Sequence, residues 1–445
     1  MQNMISGLKR SASVKALVIG GLILVLLIPV SMIKGVIHDR DYVHQQARAD
    51  IMRSWGNEQL VAGPVLVVPY TETHINAYGH QVIEESRAYV LPSRLEYRTE
   101  TSPEVRYRGI HKVPIYTARL EIRGEFPALD AEKLGLVAAV LNWEKAEIAL
   151  TVTDARAIAE TPVINIGGEQ SRFGPGGVAV LKELPAPIVA PAGELFADGA
   201  ESARFSMELR VKGSDALRIL PLGDTTIASM TSSWPNPSFI GNYLPESREI
   251  SDDGFTADWR VASLGRSLPS QWTGEASLNT HLYSAAFGVN FYMPVSLYQT
   301  TLRASKYAVL FIGLSFVAYF LFEIMANLRL HPLQYLLVGF ANALFYLLLL
   351  SFAEHMSFGL AYALSAAAST TLIAGYSIAV LGNRMRGVIM TTILTVLYAF
   401  LYMTLKAENY ALLGGAIGLW VALALIMYLT RRIDWYSYSN RAKAS

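Results

Sequence analysis

Between Tyr307 and Leu429 the chain carries five long apolar runs: Tyr307 to Met325, Leu333 to Ala353, Phe358 to Leu381, Val388 to Leu405 and Ala411 to Leu429. Each approaches the ~20 residues that an α-helix needs to cross ~30 Å of hydrocarbon. Lipid offers the backbone no hydrogen-bond partner, so these runs are predicted to be helices. The breaks between them are too short for folded domains, which makes neighbouring helices antiparallel. A sixth run, Ala16 to Ile33, follows Lys9, Arg10 and Lys15. At 18 residues it is longer than the apolar part of a usual signal peptide, and Lys34-Gly35-Val36-Ile37 follows it in place of a small-x-small cleavage site. The pattern predicts a retained anchor.

After this run Tyr42, Ala49, Met52 and Trp55 recur at roughly helical spacing, which continues the anchor helix beyond the membrane. The period then changes to two. Phe205, Met207, Leu209 and Val211 alternate with polar residues, as do Phe255, Ala257, Trp259 and Val261, and Phe287, Val289, Phe291 and Met293. Such alternation buries one face of a strand. Further strands are predicted near Val61 to Tyr70, Arg87 to Thr99, Val113 to Phe126, Glu147 to Thr153, Gly177 to Leu184 and Thr225 to Ser233, with Pro and Gly clusters between them. Only Asp130 to Leu141 reads as helical in this region.

The expected fold class is therefore a membrane α-helical bundle plus an all-β extracytoplasmic domain. Six transmembrane helices hold a large β-sandwich-like insert between helix 1 and helix 2, built as one domain or two subdomains. The expected boundaries are 1–36 for the cytoplasmic tail and anchor, 37–303 for the β-rich domain, 304–430 for the five-helix bundle and 431–445 for a second cytoplasmic tail.

Orientation follows from the basic residues. A cytoplasmic N-terminus places Lys9, Arg10, Lys15, Arg329, Arg384, Arg386, Arg431, Arg432, Arg441 and Lys443 inside, whereas the short outer breaks near Glu354 and Glu408 hold only Lys406. The expectation is a bacterial inner-membrane protein with both termini cytoplasmic and the β domain periplasmic. Trp435, Tyr436 and Tyr438 suit a cytoplasmic interface belt.

Composition agrees and excludes some classes. The 445 residues are 52% hydrophobic and 16% charged, with a mean hydropathy of +0.31, too apolar for an average soluble enzyme. A net charge of +1 gives no basic face for nucleic acid. With no cysteine there is no disulfide framework, thiol nucleophile or cysteine-held metal.

Candidate chemistry is sparse. None of the 8 histidines stands in a His-Glu-x-x-His arrangement, and His74 and His80 flank what reads as a hairpin tip, a weak pair for metal. No nucleophile elbow or phosphate loop is present. Lys34, three residues after Ser31, reads as a lysine reaching the head groups. Within the bundle, Glu323 lies near the inner interface, where Arg329, Arg384 or Arg386 is a candidate partner for a structural ion pair or a proton relay. Asn342 is nearer mid-membrane and suits a hydrogen bond between helices. Glu354 and His355 form an outer cap and a candidate acid–base pair; His331 lies at the opposite face. In the β region, Trp234, Pro235, Pro237 and Phe239 form a stiff aromatic turn that fits either a stacking surface for a glycan or protein partner or core packing at a sandwich corner. No catalytic, cofactor or metal residue is assigned.

Thr231 to Phe239, Gly241 with Leu244-Pro245, Lys306-Tyr307-Ala308, Phe322-Glu323, Leu330-His331-Pro332 followed by Gln334 to Gly339, Phe345 to Leu350, Glu354-His355 and Ile433 to Tyr436 together resemble the CreD inner-membrane protein family, also called cell envelope integrity proteins. The resemblance covers nearly the whole chain. It implies a link to a two-component envelope-stress response, to colicin tolerance and to β-lactam susceptibility, and it brings no catalytic residues. The expected function is that of a non-enzymatic envelope protein whose periplasmic β domain binds an envelope protein, glycan or lipid partner. The alternative is a transporter or lipid-handling protein working through the polar residues of the bundle. The lipid bilayer is the one partner that the apolar runs require, and the oligomeric state is left open.

Overall fold

The computed structural model describes residues 12–75, 80–176, 184–193, 202–265, 268–274, 285–291, 297–326, 330–407 and 411–431, with residues 78, 180, 293 and 328. Among them are seven α-helices: α1 (Ala12–Trp55), α2 (Leu297–Lys306), α3 (Ala308–Met325), α4 (Pro332–Ala353), α5 (Phe358–Val380), α6 (Arg384–Lys406) and α7 (Ala411–Thr430). All but the short α2 are long and apolar enough to cross a membrane, giving six candidate spans. The chain forms two compact units, Gln46–Pro294 and the remainder.

In the helical unit, the first span is a member of the bundle. Leu26, Val30 and Ile19 of α1 are buried with Phe311 and Phe316 of α3, Tyr335, Phe345 and Leu349 of α4 and Leu394 of α6. Gly339 permits this approach: a Cβ there would meet Leu26 Cδ1 at 2.1 Å. Helix boundaries follow local chemistry. Gly382, with a φ of 61°, lies just beyond α5, and Asn383 Oδ1 accepts from Met385 N at 2.8 Å to start α6. Several buried hydroxyls find acceptors on their own helix: Ser365 donates to Ala361 O, Ser377 to Ile373 O and Thr404 to Phe400 O. This satisfies them where no water is available. Exposed apolar residues on α5, α6 and α7, such as Leu372, Val396, Leu419 and Leu423, are the surface that hydrocarbon wets.

The β unit is built from two sheets. In the first, the long strand Gln59–Ile75 is central. It pairs in parallel with Ala216–Leu220, and antiparallel with Gln81–Val90 and Glu147–Val152. Residues 59–68 of that strand are buried without interruption, because a central strand covered on both faces loses the alternating pattern. The second sheet keeps it. Its eight strands run in the order Ser247–Ser251, Gly254–Ala262, Thr225–Ser232, Arg94–Arg108, His111–Phe126, Ala203–Ser214, Val163–Ile166, Glu169–Arg172. On its outer face arginines and glutamates interleave, with Arg119 Nη2 at 2.8 Å from Glu208 Oε2 and Arg210 at 2.8 Å from Glu208 Oε1.

One continuous apolar core draws residues from both sheets, among them Leu66, Ile148, Leu217 and Phe287 from the first and Leu95, Leu120, Leu209 and Trp259 from the second. The insert is thus one two-layer domain. The last turns of α1, from Gln46 to Trp55, belong to this unit. Trp55 Nε1 donates to Tyr116 O at 3.2 Å, and its ring lies between the Arg106 guanidinium at 4.8 Å and the Lys212 ammonium at 4.7 Å.

Two sequence expectations change. Asp130 to Leu141 is a series of turns ending in a short strand, Val140–Leu141. Gly135, at φ 73°, interrupts any helix, and the apolar residues that suggested one, such as Leu134 and Leu136, instead cover Tyr70 and Ala88. Arg87 to Thr99 divides into Gln81–Val90 and Arg94–Arg108, parted at Pro92. Much of the expected strand Gly177 to Leu184 lies outside the described residues, as do the aromatic C-terminal residues Trp435, Tyr436 and Tyr438.

Candidate functional site

Glu323 ends up two residues before the C-terminus of α3, buried at 1% exposure. Lys15 Nζ, on α1, donates to its Oε1 in an ion pair. Leu330 N donates to the same oxygen at 3.1 Å, and Tyr335 Oη donates to Oε2 at 2.9 Å. Each carboxylate oxygen is therefore satisfied, by groups from α1, from α4 and from the turn that joins α3 to α4. Of the arginines expected nearby, Arg386 caps α5 instead, donating to Leu381 O at 3.1 Å, Arg384 is exposed, and Arg329 lies outside the described residues.

His331 is the N-cap of α4. Its Nδ1 accepts from Leu333 N at 3.2 Å, and Gln334 Oε1 accepts from His331 N at 2.9 Å, which closes a capping box around Pro332. The run Leu330-His331-Pro332-Leu333-Gln334 is accordingly a helix start, and Tyr335 follows it directly to reach Glu323.

Asn342 lies mid-bundle at 1% exposure. Its Nδ2 donates to Ser315 Oγ on α3 at 3.2 Å and its Oδ1 accepts from Tyr398 Oη on α6 at 3.2 Å, so one amide ties three helices. Nearby, Tyr362 Oη donates to Tyr398 O at 2.6 Å, and Tyr319 pairs with Ser377. The Tyr346 hydroxyl is buried with no hydrogen-bond partner among the described residues.

Glu354 is the C-cap of α4. It accepts from Tyr298 Oη at 3.3 Å and lies 3.9 Å from Arg40 Nε. Burial, reinforced by the Glu354 charge, pushes the Tyr298 hydroxyl up to about 12, so it stays a donor. His355 is exposed, and no side-chain hydrogen bond joins it to Glu354. The geometry gives Glu354 to Tyr298 and Arg40, both outside the sequence neighbourhood that suggested His355.

In the β unit the aromatic turn packs inward on one side. Trp234 meets Phe291 edge-on at 6.3 Å, Phe239 meets Phe255 and Trp259 at 5.9 Å each, and Arg248 lies 5.7 Å over Phe239. Pro235 and Asn236 stay exposed. Pro237 opens the strand Pro237–Gly241 at one end of the first sheet's pairing path, beyond Phe287–Phe291. Trp234 and Phe239 therefore anchor an edge whose outer rim faces solvent.

The described residues hold no group of three or more His, Cys, Asp or Glu placed to bind a metal ion. Lys15 and Tyr335, which complete the Glu323 site, carry no sequence signal of their own, since both partners lie on other helices.

Six membrane-length helices, with a two-sheet β domain inserted after the first, define a multi-pass membrane protein with an all-β insert. The chain belongs to the CreD family of inner-membrane proteins. The family described as Inner membrane protein CreD matches residues 11–436. Over 430 residues the chain is 32% identical to Inner membrane protein CreD of Escherichia coli (strain K12), covering 96% of this chain and 94% of that protein. It is an inner-membrane, multi-pass protein.

Proposed function

We propose that this chain is a non-enzymatic envelope protein whose bundle is a platform and whose β domain, on the periplasmic side, meets an envelope partner. The observation that carries the reading is that the main polar groups of the bundle are committed to one another. Glu323 is neutralised by Lys15 and held by Leu330 N and Tyr335, and Asn342 is held by Ser315 and Tyr398. A carrier site needs groups free to exchange partners, whereas these bonds lock helices together. The bias of Arg384, Arg386 and Arg431 to one side supports cytoplasmic termini. The exposed rim of the Trp234–Phe239 turn, beside the strand that ends the first sheet's pairing path among the described residues, supports a docking role for that face.

The test is photocrosslinking in intact cells from position 236, with position 252 as a second probe on the domain. The reading expects a discrete adduct from position 236 that is lost in Trp234→Ser/Phe239→Ser protein with unchanged abundance. Absence of any adduct from both positions, with measurable ion or lipid flux in proteoliposomes that Glu323→Gln abolishes, would move the function into the bundle.

A further inference from the structure

A concavity of about 650 Å3 opens on the first sheet of the β unit, within the size range of sites that enclose small ligands. Strand register explains its lining. Pairing sets Trp272, Tyr89, Val67, Glu147 and Pro191 in one row across the sheet, and directly opposed residues share a face. One step along the same face, Arg87 stands opposite Pro69, and one step further Glu85 stands opposite Thr71. The 3-10 turn Trp143–Lys145 brings Glu144 and Lys145 to the rim.

Five charged side chains of both signs thus converge: Glu85, Arg87, Glu144, Lys145 and Glu147. Among the described residues none of the five side chains makes an ion pair or hydrogen bond, although Lys145 N donates to Asn142 Oδ1 at 3.3 Å. The other sheet behaves differently, with Arg119 and Arg210 on Glu208, Arg94 on Glu96 and Arg123 on Glu121. The walls are fixed by backbone bonds: Asn142 N to Pro69 O at 2.8 Å, Gly274 N to Arg87 O at 2.9 Å and Ala192 N to Ala146 O at 2.8 Å. Tyr89 is stacked on Trp272 with centroids 5.1 Å apart. The hollow's backbone is fixed while its five charged side chains are solvent-exposed and without a partner among the described residues, so charges of both signs are available to a ligand that carries both.

We infer that this hollow binds a short zwitterionic peptide, its ammonium group taken by the glutamates and its carboxylate by Arg87 and Lys145. Tyr70 and Tyr89 line the hollow but are themselves buried, at 6% and 5% exposure. They offer no free ring face for a sugar, which favours charge recognition over stacking. The inference deepens the reading that the β domain is the part that meets the envelope, and gives one of its contacts a chemistry.

The test is isothermal titration calorimetry on the full chain in lipid nanodiscs, with tetra-alanine bearing free termini as the probe. Saturable binding is expected, with a loss of about tenfold or more when the amino end is acetylated or the carboxyl end amidated, the size of effect a hydrogen bond to a charged group gives. Arg87→Gln should remove the sensitivity to amidation and Glu147→Gln the sensitivity to acetylation. Glu249→Gln, on the exposed strand Ser247–Ser251, should change nothing, and unchanged melting curves exclude misfolding of the variants. Heat absent at millimolar peptide, equal binding of the doubly blocked peptide, or tighter binding of neutral chitotetraose would each overturn the inference. If the hollow fails while the adduct from position 236 persists, partner binding by the β domain stands and only this site falls.

Discussion

Lys15 of α1 and Glu323 of α3, 308 residues apart in the chain, meet as an ion pair inside the bundle. The bond makes the first span a structural member of the bundle and gives Glu323 a counter-charge where solvent is excluded. Removing one member of a buried pair leaves the other uncompensated, at a cost of about 3 kcal/mol or more. Glu323→Gln and Lys15→Met are each expected to lower the thermal unfolding midpoint in detergent micelles. The double variant Lys15→Met/Glu323→Leu should recover most of the loss, because two apolar groups leave no charge behind.

The contact of Leu26 with Gly339 is the packing counterpart of that bond. Gly339→Leu drives a side chain into space that Leu26 fills, and overpacking of this kind costs about 1–3 kcal/mol. Adding Leu26→Ala should restore part of the lost stability. Strictly additive destabilisation in the same melting measurement would show that the two helices do not meet there.

Trp55, the last residue of α1, is held within the β unit by one hydrogen bond and two cation–π contacts. Trp55→Ala is expected to destabilise the β unit, by less than the roughly 3–5 kcal/mol of a fully buried aromatic because Trp55 is partly buried. Trp55→Phe keeps a ring between Arg106 and Lys212 and should lose less. Pulse proteolysis across a urea series reads both.

Asp154 contributes to the pH dependence of stability. It caps the 3-10 turn Ala155–Ala157 and receives Arg156 at 2.9 and 3.0 Å, and this hydrogen-bonded partner holds its carboxyl below the usual carboxylate range. A carboxyl lowered by folding stabilises the fold above its unfolded value, about 3.9. That contribution disappears as pH falls through the lower folded value. Stability should therefore decline below about pH 4, and Asp154→Asn should flatten that limb while lowering stability at neutral pH. A limb of unchanged steepness in the variant would assign the acid sensitivity elsewhere.

The membrane spans and most strands were legible because each rests on local periodicity: apolar runs of membrane length, and alternation where one sheet face is wet. What periodicity does not carry was missed. Leu134 and Leu136 suggested a helix, but they pack over Tyr70 and Ala88 from turns. Glu323 stood out as a buried carboxylate, yet its partner Lys15 read as an ordinary flanking cation, since only the packing of α1 against α3 and α4 brings the two together. His331 stood out as a candidate ionisable group, and Pro332 and Gln334 beside it make it a cap. The charged hollow could not be foreseen, because its charged members come from two separate segments, residues 85–87 and 144–147, which strand pairing and the turn Trp143–Lys145 bring to one hollow.

The orientation of the β domain is the claim on which the functional reading depends, and the chain offers a clean way to measure it because it contains no cysteine. Asp252→Cys, on an exposed turn of the β unit, and Met385→Cys, 67% exposed at the start of α6, give two single reactive sites on what should be opposite sides of the membrane. On intact spheroplasts a membrane-impermeant maleimide is expected to label position 252 and to reach position 385 only after lysis. Labelling of position 385 alone before lysis would place the β domain in the cytoplasm and contradict the account.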